Sequence, residues 1–198
     1  MPIPTPASDP DLASLLAPLI RDVPDFPKPG VVFKDIGPLL RDPAAFGTVV
    51  DAFAAGSRAA ASGVGADGND HGFDVVLGIE ARGFLFGAPV ALRTGTGFVP
   101  VRKAGKLPGV TLGTSYALEY GEATIEVQDG AIRPGDRVLV IDDVLATGGT
   151  VAASLELVAR AGGTVVAVAV LLELGFLDGA GALRARGYTG PLVALQTV

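Results

Sequence analysis

The sequence predicts one α/β domain in which helices cover both faces of a mostly parallel, twisted sheet. Predicted strands and helices alternate along the 198 residues, an order that is typical of βα units. Several predicted strands are continuous apolar runs, such as residues 164–172, and such runs indicate strands buried on both faces. Hydrophobic residues make up 49% of the chain and charged residues 18%, which suits one ordinary hydrophobic core. In such a fold, ligands bind beyond the carboxyl ends of the strands.

The N-terminal part begins with a helix and a short strand. Apolar residues recur at helical spacing over residues 11–21 and predict the first helix. A loop rich in Pro and Gly follows over residues 23–30, and the apolar residues after it predict a strand over 31–36. Pro43 suits the first turn of a helix and opens a helical pattern that runs to Ala61.

The middle of the chain starts after a polar, glycine-rich linker over residues 62–72. Apolar runs flanked by turn residues predict strands over 73–79 and 98–102, and the spacing between them predicts a helix over 83–94. Residues 103–121 hold several glycines and predict a long loop with short hairpin strands, which residues 123–127 extend.

The C-terminal part repeats the strand–helix alternation. Buried-type apolar runs predict strands over residues 137–141, 165–172 and 192–196. Helical periodicity between these runs predicts helices over 149–161 and 176–186.

The distribution of charge points to an anionic ligand. The net charge is −6, which disfavours nucleic acid as a partner. Yet no Asp or Glu occurs from Ala81 to Leu118, a window that holds five cations: Arg82, Arg93, Arg102, Lys103 and Lys106. This window is either a local site for an anion or a solvated cationic face.

Composition also bears on compartment and chemistry. The chain has no Cys, which excludes disulfides, zinc–thiolate sites and cysteine nucleophiles and fits a reducing compartment. No apolar run is long enough to span a bilayer, and the first residues lack a basic segment followed by an apolar one. We therefore expect a cytoplasmic protein without a membrane partner.

A turn with the properties of a phosphate site follows the strand predicted over 137–141. Gly148 and Gly149 lack a Cβ, so their N–H groups can approach an anion closely, and the helix that starts there adds the positive end of its dipole. Thr147 and Thr150 add hydroxyl donors. No Lys follows the glycines, so the turn is not the phosphate loop of nucleoside triphosphatases.

Two adjacent carboxylates, Asp142 and Asp143, stand between this strand and the turn. They need donors or a cation, and the 2′,3′-diol of a ribose whose 5′-phosphate occupies the turn would supply donors. A magnesium ion on the diol or on a pyrophosphate would offset their charge further. The alternative is an acidic pair that only caps the following helix.

The segment from Val138 to Thr150 resembles the signature with which type I phosphoribosyltransferases bind 5-phosphoribosyl-1-pyrophosphate (PRPP). Three further segments resemble the adenine phosphoribosyltransferase family and stand in that family's order: DFPKPGVVFKDI (25–36), IEARGF (79–84), and RKAGKLPG (102–109) followed by SYALEYG (115–121). Together the four segments cover roughly residues 25–150. This resemblance implies the type I phosphoribosyltransferase fold in a single domain over residues 1–198, with a base-binding segment over 23–36 and a flexible hood over 103–121.

The resemblance also implies a role for each matching residue. It implies adenine binding by Val32, Phe33 and Lys34, where the family usually has Arg in place of Lys34, and pyrophosphate binding by Arg82, Arg102, Lys103 and Lys106. It implies ribose binding by Asp142 and Asp143, and 5′-phosphate binding by Ala146, Thr147, Gly148, Gly149 and Thr150. Glu119 matches the family's proposed acid/base, and a non-proline cis peptide is expected close to Ala81.

The implied reaction joins PRPP and adenine to give AMP and pyrophosphate, with Mg²⁺ bound mainly through PRPP and in part by Asp142 or Asp143, in a homodimer. A phosphoribosyltransferase for another purine base is the nearest alternative. Relatives that act on hypoxanthine or guanine usually carry Asp where this chain has Ala146, which favours adenine. The other alternative is a non-catalytic regulator that senses PRPP, and it would need a nucleic-acid-binding surface.

Overall fold

The computed structural model describes residues 10–61, 72–117 and 122–198. Six helices, nine strands and one 3₁₀ turn lie within these ranges, in the order α1 (Pro10–Leu16), β1 (Arg21–Val23), β2 (Phe33–Asp35), α2 (Gly37–Arg41), α3 (Pro43–Ala61), β3 (Val75–Ile79), α4 (Gly83–Thr94), β4 (Gly97–Lys103), β5 (Thr111–Ala117), β6 (Glu122–Gln128), β7 (Arg137–Leu145), α5 (Gly149–Arg160), β8 (Thr164–Glu173), the 3₁₀ turn (Gly175–Leu177), α6 (Gly179–Ala185) and β9 (Leu192–Thr197).

The central sheet has seven strands in the order β5-β6-β4-β3-β7-β8-β9. Strands β4, β3, β7, β8 and β9 run parallel to one another, while β6 is antiparallel to both β4 and β5. The predicted mostly parallel sheet is therefore confirmed. From β3 the chain continues to β4 on one side, and from β7 it continues to β8 and β9 on the other. The strand order thus reverses between β3 and β7, which opens a crevice at their carboxyl ends.

Helices cover both faces of this sheet, as β7 illustrates. Leu139 and Ile141 belong to a buried cluster that includes Phe53 of α3 and Phe86 of α4. The alternate residues Val138 and Val140 belong to a second buried cluster, which contains Leu157 and Val158 of α5 and Leu183 of α6. Because successive side chains of a strand point to opposite faces, the continuous apolar runs of the sequence build both clusters at once.

The predicted first helix is too long by five residues. Helix α1 ends at Leu16, and Arg21–Val23 instead form β1, which pairs antiparallel with β2. Pro18 lacks an N–H group and its ring clashes with a helical carbonyl, so the helical spacing cannot continue through it. The five-residue helix α2 was not predicted, although Pro38 stands at its first turn.

Three C-terminal and central predictions also need correction. Residues 111–117 are a regular strand that pairs along its whole length with β6, so the hairpin strands predicted within residues 103–121 are present in the described part and are longer than predicted. Strand β7 continues four residues beyond the predicted Ile141 and contains both acids. The predicted helix over 176–186 is divided by Asp178, whose φ of 49° ends the 3₁₀ turn and caps α6.

No helix within the described ranges is long and apolar enough to cross a bilayer.

Candidate active site

The crevice between β3 and β7 opens into a cleft of about 360 Å³. Its lining brings together residues from three of the four predicted segments: Glu80, Ala81 and Arg82 after β3, Lys103 at the end of β4, Tyr116 of β5, Asp142 and Asp143 of β7, and Thr150 of α5. The cleft therefore lies where an open α/β sheet is expected to bind its ligand.

The loop after β3 is pressed against β7 at Gly83. A Cβ on Gly83 would lie 2.7 Å from the carbonyl oxygen of Ile141 and 3.0 Å from Oδ1 of Asp142, so only glycine permits this approach. The peptide between Glu80 and Ala81 is cis, as predicted. The tight packing at Gly83 brings the neighbouring Arg82 to the acids of β7.

Arg82 connects three parts of the site. Its Nη2 lies 2.8 Å from Oδ2 of Asp143, and its Nη1 donates a hydrogen bond of 3.0 Å to the carbonyl oxygen of Lys34. The guanidinium carbon also lies 4.5 Å from the centroid of the Phe33 ring, within cation–π range. The arginine that the sequence places in the pyrophosphate group thus also contacts the acidic pair and the N-terminal segment.

The acidic pair is poorly solvated, with Asp143 buried and Asp142 half-buried. Burial raises the pKa of Asp142 well above its ordinary value, and the charge of Asp143 adds to this rise. Burial also raises the pKa of Asp143, although Arg82 opposes the effect. Oδ1 of Asp142 accepts the backbone N–H of Asp143 at 2.9 Å, whereas no described donor meets the buried Oδ2 of Asp143 with hydrogen-bond geometry. The pair is therefore short of donors, and a polyol or a cation would satisfy it.

The turn after β7 forms a recess of about 70 Å³ lined by residues 144–151 and Asp142. Gly148 adopts φ +79°, and a Cβ there would lie 2.9 Å from the carbonyl oxygen of Gly179. Glycine is thus required both by the backbone conformation and by the contact with α6. The twelve-residue helix α5 begins directly at this recess, as a phosphate site requires.

Three of the four remaining cationic residues of the acid-free window adjoin Glu80, a residue that the sequence analysis did not single out, whereas Arg93 pairs with Asp51 of α3. The Glu80 carboxylate lies 3.2 Å from Nε of Arg102, accepts the backbone N–H of Lys103 at 3.0 Å, and pairs with the ammonium group of Lys106. The side chains of Arg102 and Lys106 are therefore held at the cleft by Glu80 and do not form a solvated cationic face.

The N-terminal segment reaches the site through Phe33 and the backbone of Lys34. The Lys34 side chain turns away and pairs with Asp22 at 2.7 Å across the β1–β2 hairpin. Phe33 packs edge-to-face on Phe26, with 5.1 Å between the ring centroids, while Val32 is 51% exposed. The segment therefore offers one ring and main-chain groups to a ligand.

The β5–β6 hairpin is attached to α5. Arg160 donates to the carbonyl oxygen of Gly113 at 2.6 Å and to the hydroxyl of Thr114 at 2.7 Å. Nearer the cleft, the hydroxyl of Thr150 donates to that of Tyr116 at 3.1 Å. Tyr116, like Glu80, was missed by the sequence analysis; it lies in the SYALEYG segment, but only the register of β5 places it against the turn. The predicted acid/base, Glu119, lies outside the described residues.

Comparisons with known sequences agree with this geometry. The sequence profile of the phosphoribosyl transferase domain matches residues 48–187. The adenine phosphoribosyltransferase of Streptomyces coelicolor is 58% identical over 187 residues, which cover 94% of this chain and 97% of the relative. That of Nocardioides sp. is 57% identical over 198 residues, and the match covers both chains completely.

Solved structures give the same result. The adenine phosphoribosyltransferase of Thermoanaerobacter pseudethanolicus superposes with a TM-score of 0.82 at 45% identity, covering 94% of this chain and 99% of that one. The enzyme of Saccharomyces cerevisiae, solved with an imino-altritol bisphosphate and adenine, superposes with a TM-score of 0.83 at 38% identity over 94% and 99% of the two chains. The crevice between β3 and β7, the glycine turn after β7 and these likenesses together establish that the chain belongs to the adenine phosphoribosyltransferase family.

Proposed function

We propose that this chain transfers the 5-phosphoribosyl group of PRPP to adenine and forms AMP and pyrophosphate, a reaction of purine salvage. One structural observation supports this proposal in addition to the membership of the family. The glycine turn, the acidic pair and the cation cluster adjoin one another around the crevice between β3 and β7, in the order in which PRPP presents its phosphate, ribose and pyrophosphate.

The sugar phosphate would occupy the β7 end of the crevice. The backbone N–H groups of Ala146 to Thr150 and the hydroxyls of Thr147 and Thr150 would hold the 5′-phosphate. The ribose hydroxyls would then donate to Asp142 and Asp143, and the buried Oδ2 of Asp143, which lacks a described hydrogen bond, supports this role.

The pyrophosphate would lie among Arg82, Arg102, Lys103 and Lys106. Lys103 lines the cleft and is exposed, and Arg82 lines the same cleft. Fixed cations at this position stabilise the charge that develops on the departing group.

The residues present also fit Mg²⁺. The buried Oδ2 of Asp143 lies 2.8 Å from Nη2 of Arg82 without hydrogen-bond geometry, and a hard cation prefers such carboxylate oxygens as ligands. No group of three or more His, Cys, Asp or Glu within the described ranges forms a complete metal site, so the ion would be held mainly by PRPP with Asp142 or Asp143 as a further ligand. When bound, Mg²⁺ would offset the charge of the pyrophosphate.

Adenine would bind between the N-terminal segment and the ribose. The ring of Phe33 offers a face for stacking, and the backbone groups of Val32 and Lys34 would read the purine edge. The ion pair of the Lys34 side chain with Asp22 supports a main-chain role for this residue, which a Lys in place of the family's usual Arg can fulfil. The Saccharomyces cerevisiae relative has been solved with adenine bound.

The chemical step needs positioning and charge stabilisation. The bond between C1′ and the pyrophosphate oxygen breaks with its electron pair leaving on pyrophosphate, and N9 of adenine supplies a pair to C1′. The N9 proton must be lost, and Glu119 would exchange a proton with the base near N7. Closure of residues 103–121 over the site would keep water from hydrolysing PRPP.

The experiment that tests the proposal is a PRPP- and Mg²⁺-dependent assay with adenine, hypoxanthine, guanine, xanthine and orotate. We expect AMP from adenine and much slower reaction with the other bases. Glu119→Gln should lower kcat by about 10²- to 10⁴-fold, the usual contribution of a general acid/base. Preference for another base would refute the assignment to adenine, and a salt-sensitive shift of nucleic acid in a gel without turnover would favour a regulator.

We also infer a homodimer in the cytoplasm. Helix α4 exposes Leu85, Ala88 and Leu92 at helical spacing on one face, with Leu92 86% exposed, and this apolar face supports an interface between copies. The absence of Cys supports a reducing compartment. Light scattering should give the mass of a dimer, and Leu92→Asp should reduce it toward that of a monomer.

A further inference from the structure

Glu80 lies at the centre of the cation cluster, although no expected binding role attaches to it. It follows β3 directly and precedes the acid-free window by one residue. Its carboxylate meets donors from three positions of the chain: Nε of Arg102 at 3.2 Å, the backbone N–H of Lys103 at 3.0 Å, and the ammonium group of Lys106. Only 9% of its side chain is exposed, while those of Arg102 and Lys106 are 35% and 46% exposed.

This arrangement keeps a buried carboxylate charged. Burial pushes the pKa of Glu80 upward, but the hydrogen bonds from Lys106 and from the Lys103 backbone, with the charges of Lys106 and Arg102, outweigh burial and hold the pKa below its ordinary value. At neutral pH the cleft therefore carries one fixed negative charge among the cations that would receive the leaving group.

We propose that Glu80 is a positioning residue with two linked effects on pyrophosphate: it holds Arg102 and Lys106 at the cleft, and it weakens their retention of the released pyrophosphate. The proposal rests on the proposed function. Pyrophosphate must share the donors of Arg102 and Lys106 with the Glu80 carboxylate. It therefore binds more weakly than it would if these two cations had no anionic partner. Weaker binding speeds the release of pyrophosphate, which the enzyme must complete on every turnover.

The test compares Glu80→Gln with Glu80→Asp. The Gln amide oxygen can still accept the Lys103 N–H group but carries no charge, whereas Asp keeps the charge. Glu173→Gln is the matched control, because the Glu173 carboxylate accepts a hydrogen bond from the Thr197 hydroxyl at 3.4 Å at the end of β8, away from Arg102 and Lys106 on the other side of the sheet order. For each variant we would measure the inhibition constant of pyrophosphate against PRPP, the KM values for both substrates, kcat and the melting temperature.

We expect Glu80→Gln to lower the inhibition constant of pyrophosphate about tenfold, because it removes the partly screened repulsion between the Glu80 carboxylate and pyrophosphate. The variant should also have a lower kcat, because it releases pyrophosphate more slowly. The KM for adenine should stay within about twofold, since the base lies elsewhere. Glu80→Asp and Glu173→Gln should keep an inhibition constant close to that of the wild type.

The possible results separate this role from the proposed function. AMP formation with an unchanged inhibition constant in Glu80→Gln would overturn both effects, and a raised inhibition constant would overturn the weakening of pyrophosphate retention and leave Glu80 as a residue that only holds the cations in place. If Glu80→Gln does not fold, a Glu80→Asp variant that folds but binds pyrophosphate tightly would also overturn the role, because it retains the charge. A wild-type chain that forms no AMP refutes the proposed function and this role together.

Discussion

Replacing Asp142 by Asn should stabilise the ligand-free chain and at the same time abolish its response to PRPP. Burial and the neighbouring Asp143 raise the pKa of Asp142 well above its ordinary value, so the charged form is disfavoured in the fold. The Asn side chain keeps an oxygen for the Asp143 N–H group, which Oδ1 of Asp142 now accepts at 2.9 Å. The substitution thus removes the buried charge but not the hydrogen bond.

The size of this gain follows from the energetics of buried charges. Above the raised pKa, each pH unit by which folding raises the pKa of a carboxyl lowers stability by about 1.4 kcal/mol. Removing a buried, incompletely solvated charge typically gains about 1 to 3 kcal/mol, and we take about 1 to 2 kcal/mol because the Asn amide is itself buried. For 198 residues, this range raises Tm by roughly 2 to 8 °C.

The stability difference between Asp142→Asn and the wild type should depend on pH. An unfolded Asp loses its proton near pH ~4, before the folded Asp142 does, so wild-type stability falls as pH rises through this region and stays lower above the raised pKa. The Tm advantage of Asp142→Asn should therefore be present at pH 7 and shrink as pH approaches about 4. PRPP at a hundredfold excess over its Kd should add about 2.7 kcal/mol of stability to the wild type and none to the variant.

Melting curves recorded from pH 4 to 8, with and without PRPP and Mg²⁺, test both effects. Asp129→Asn is the matched control, since Asp129 is exposed at the tip of β6 and should change neither Tm nor the ligand response. The reasoning is refuted if Asp142→Asn is no more stable than the wild type at pH 7, or if PRPP still raises its Tm.

Three further predictions follow from the same contacts. Gly148→Ala should raise the KM for PRPP at least about tenfold, because a Cβ would lie 2.9 Å from the Gly179 carbonyl oxygen at a φ of +79°. The control Gly187→Ala, at a φ of +91° with open space around the Cβ, should cost about 1 to 2 kcal/mol of stability and leave the KM unchanged. Equal KM values in the two variants would contradict this prediction. Tyr116→Phe should raise the KM for PRPP roughly 2- to 10-fold through loss of the Thr150 hydrogen bond, whereas Tyr188→Phe, which loses a hydrogen bond to the Pro191 carbonyl and none to the turn, should lower Tm only. Ribose 5-phosphate should bind more tightly as pH rises through the raised pKa values of Asp142 and Asp143, because its hydroxyls bind the ionised forms; calorimetry that finds weaker binding at higher pH would exclude the diol contact.

Features that depend on neighbouring residues in the sequence were predictable. The bounds of α3 and α4 match the prediction because helical spacing and a terminal Pro or Gly are local signals. The glycine turn after β7 was also correctly placed, since the apolar run, the two acids and the glycines are contiguous.

Features that depend on tertiary contact were not predictable. The three donors to Glu80 lie 22 to 26 residues away, and the sequence shows only that its neighbours lack acids. The contacts of Arg82 with Lys34 and Asp143 require the close packing of Gly83 on β7, which no local pattern encodes. Similarly, the sequence predicts only short hairpin strands where β5 lies, because the full length of β5 depends on pairing with β6 and on the Arg160 contacts from α5.

The central claim is that sugar phosphate binds with its phosphate in the turn after β7 and its hydroxyls on the acidic pair. A crystal structure of the chain soaked with AMP tests this most directly. We expect the 5′-phosphate against Thr147 to Thr150 and the ribose hydroxyls within hydrogen-bond distance of Asp142 and Asp143. Density for the phosphate at the cluster of Arg102 and Lys106, or anywhere else away from that turn, would contradict the account.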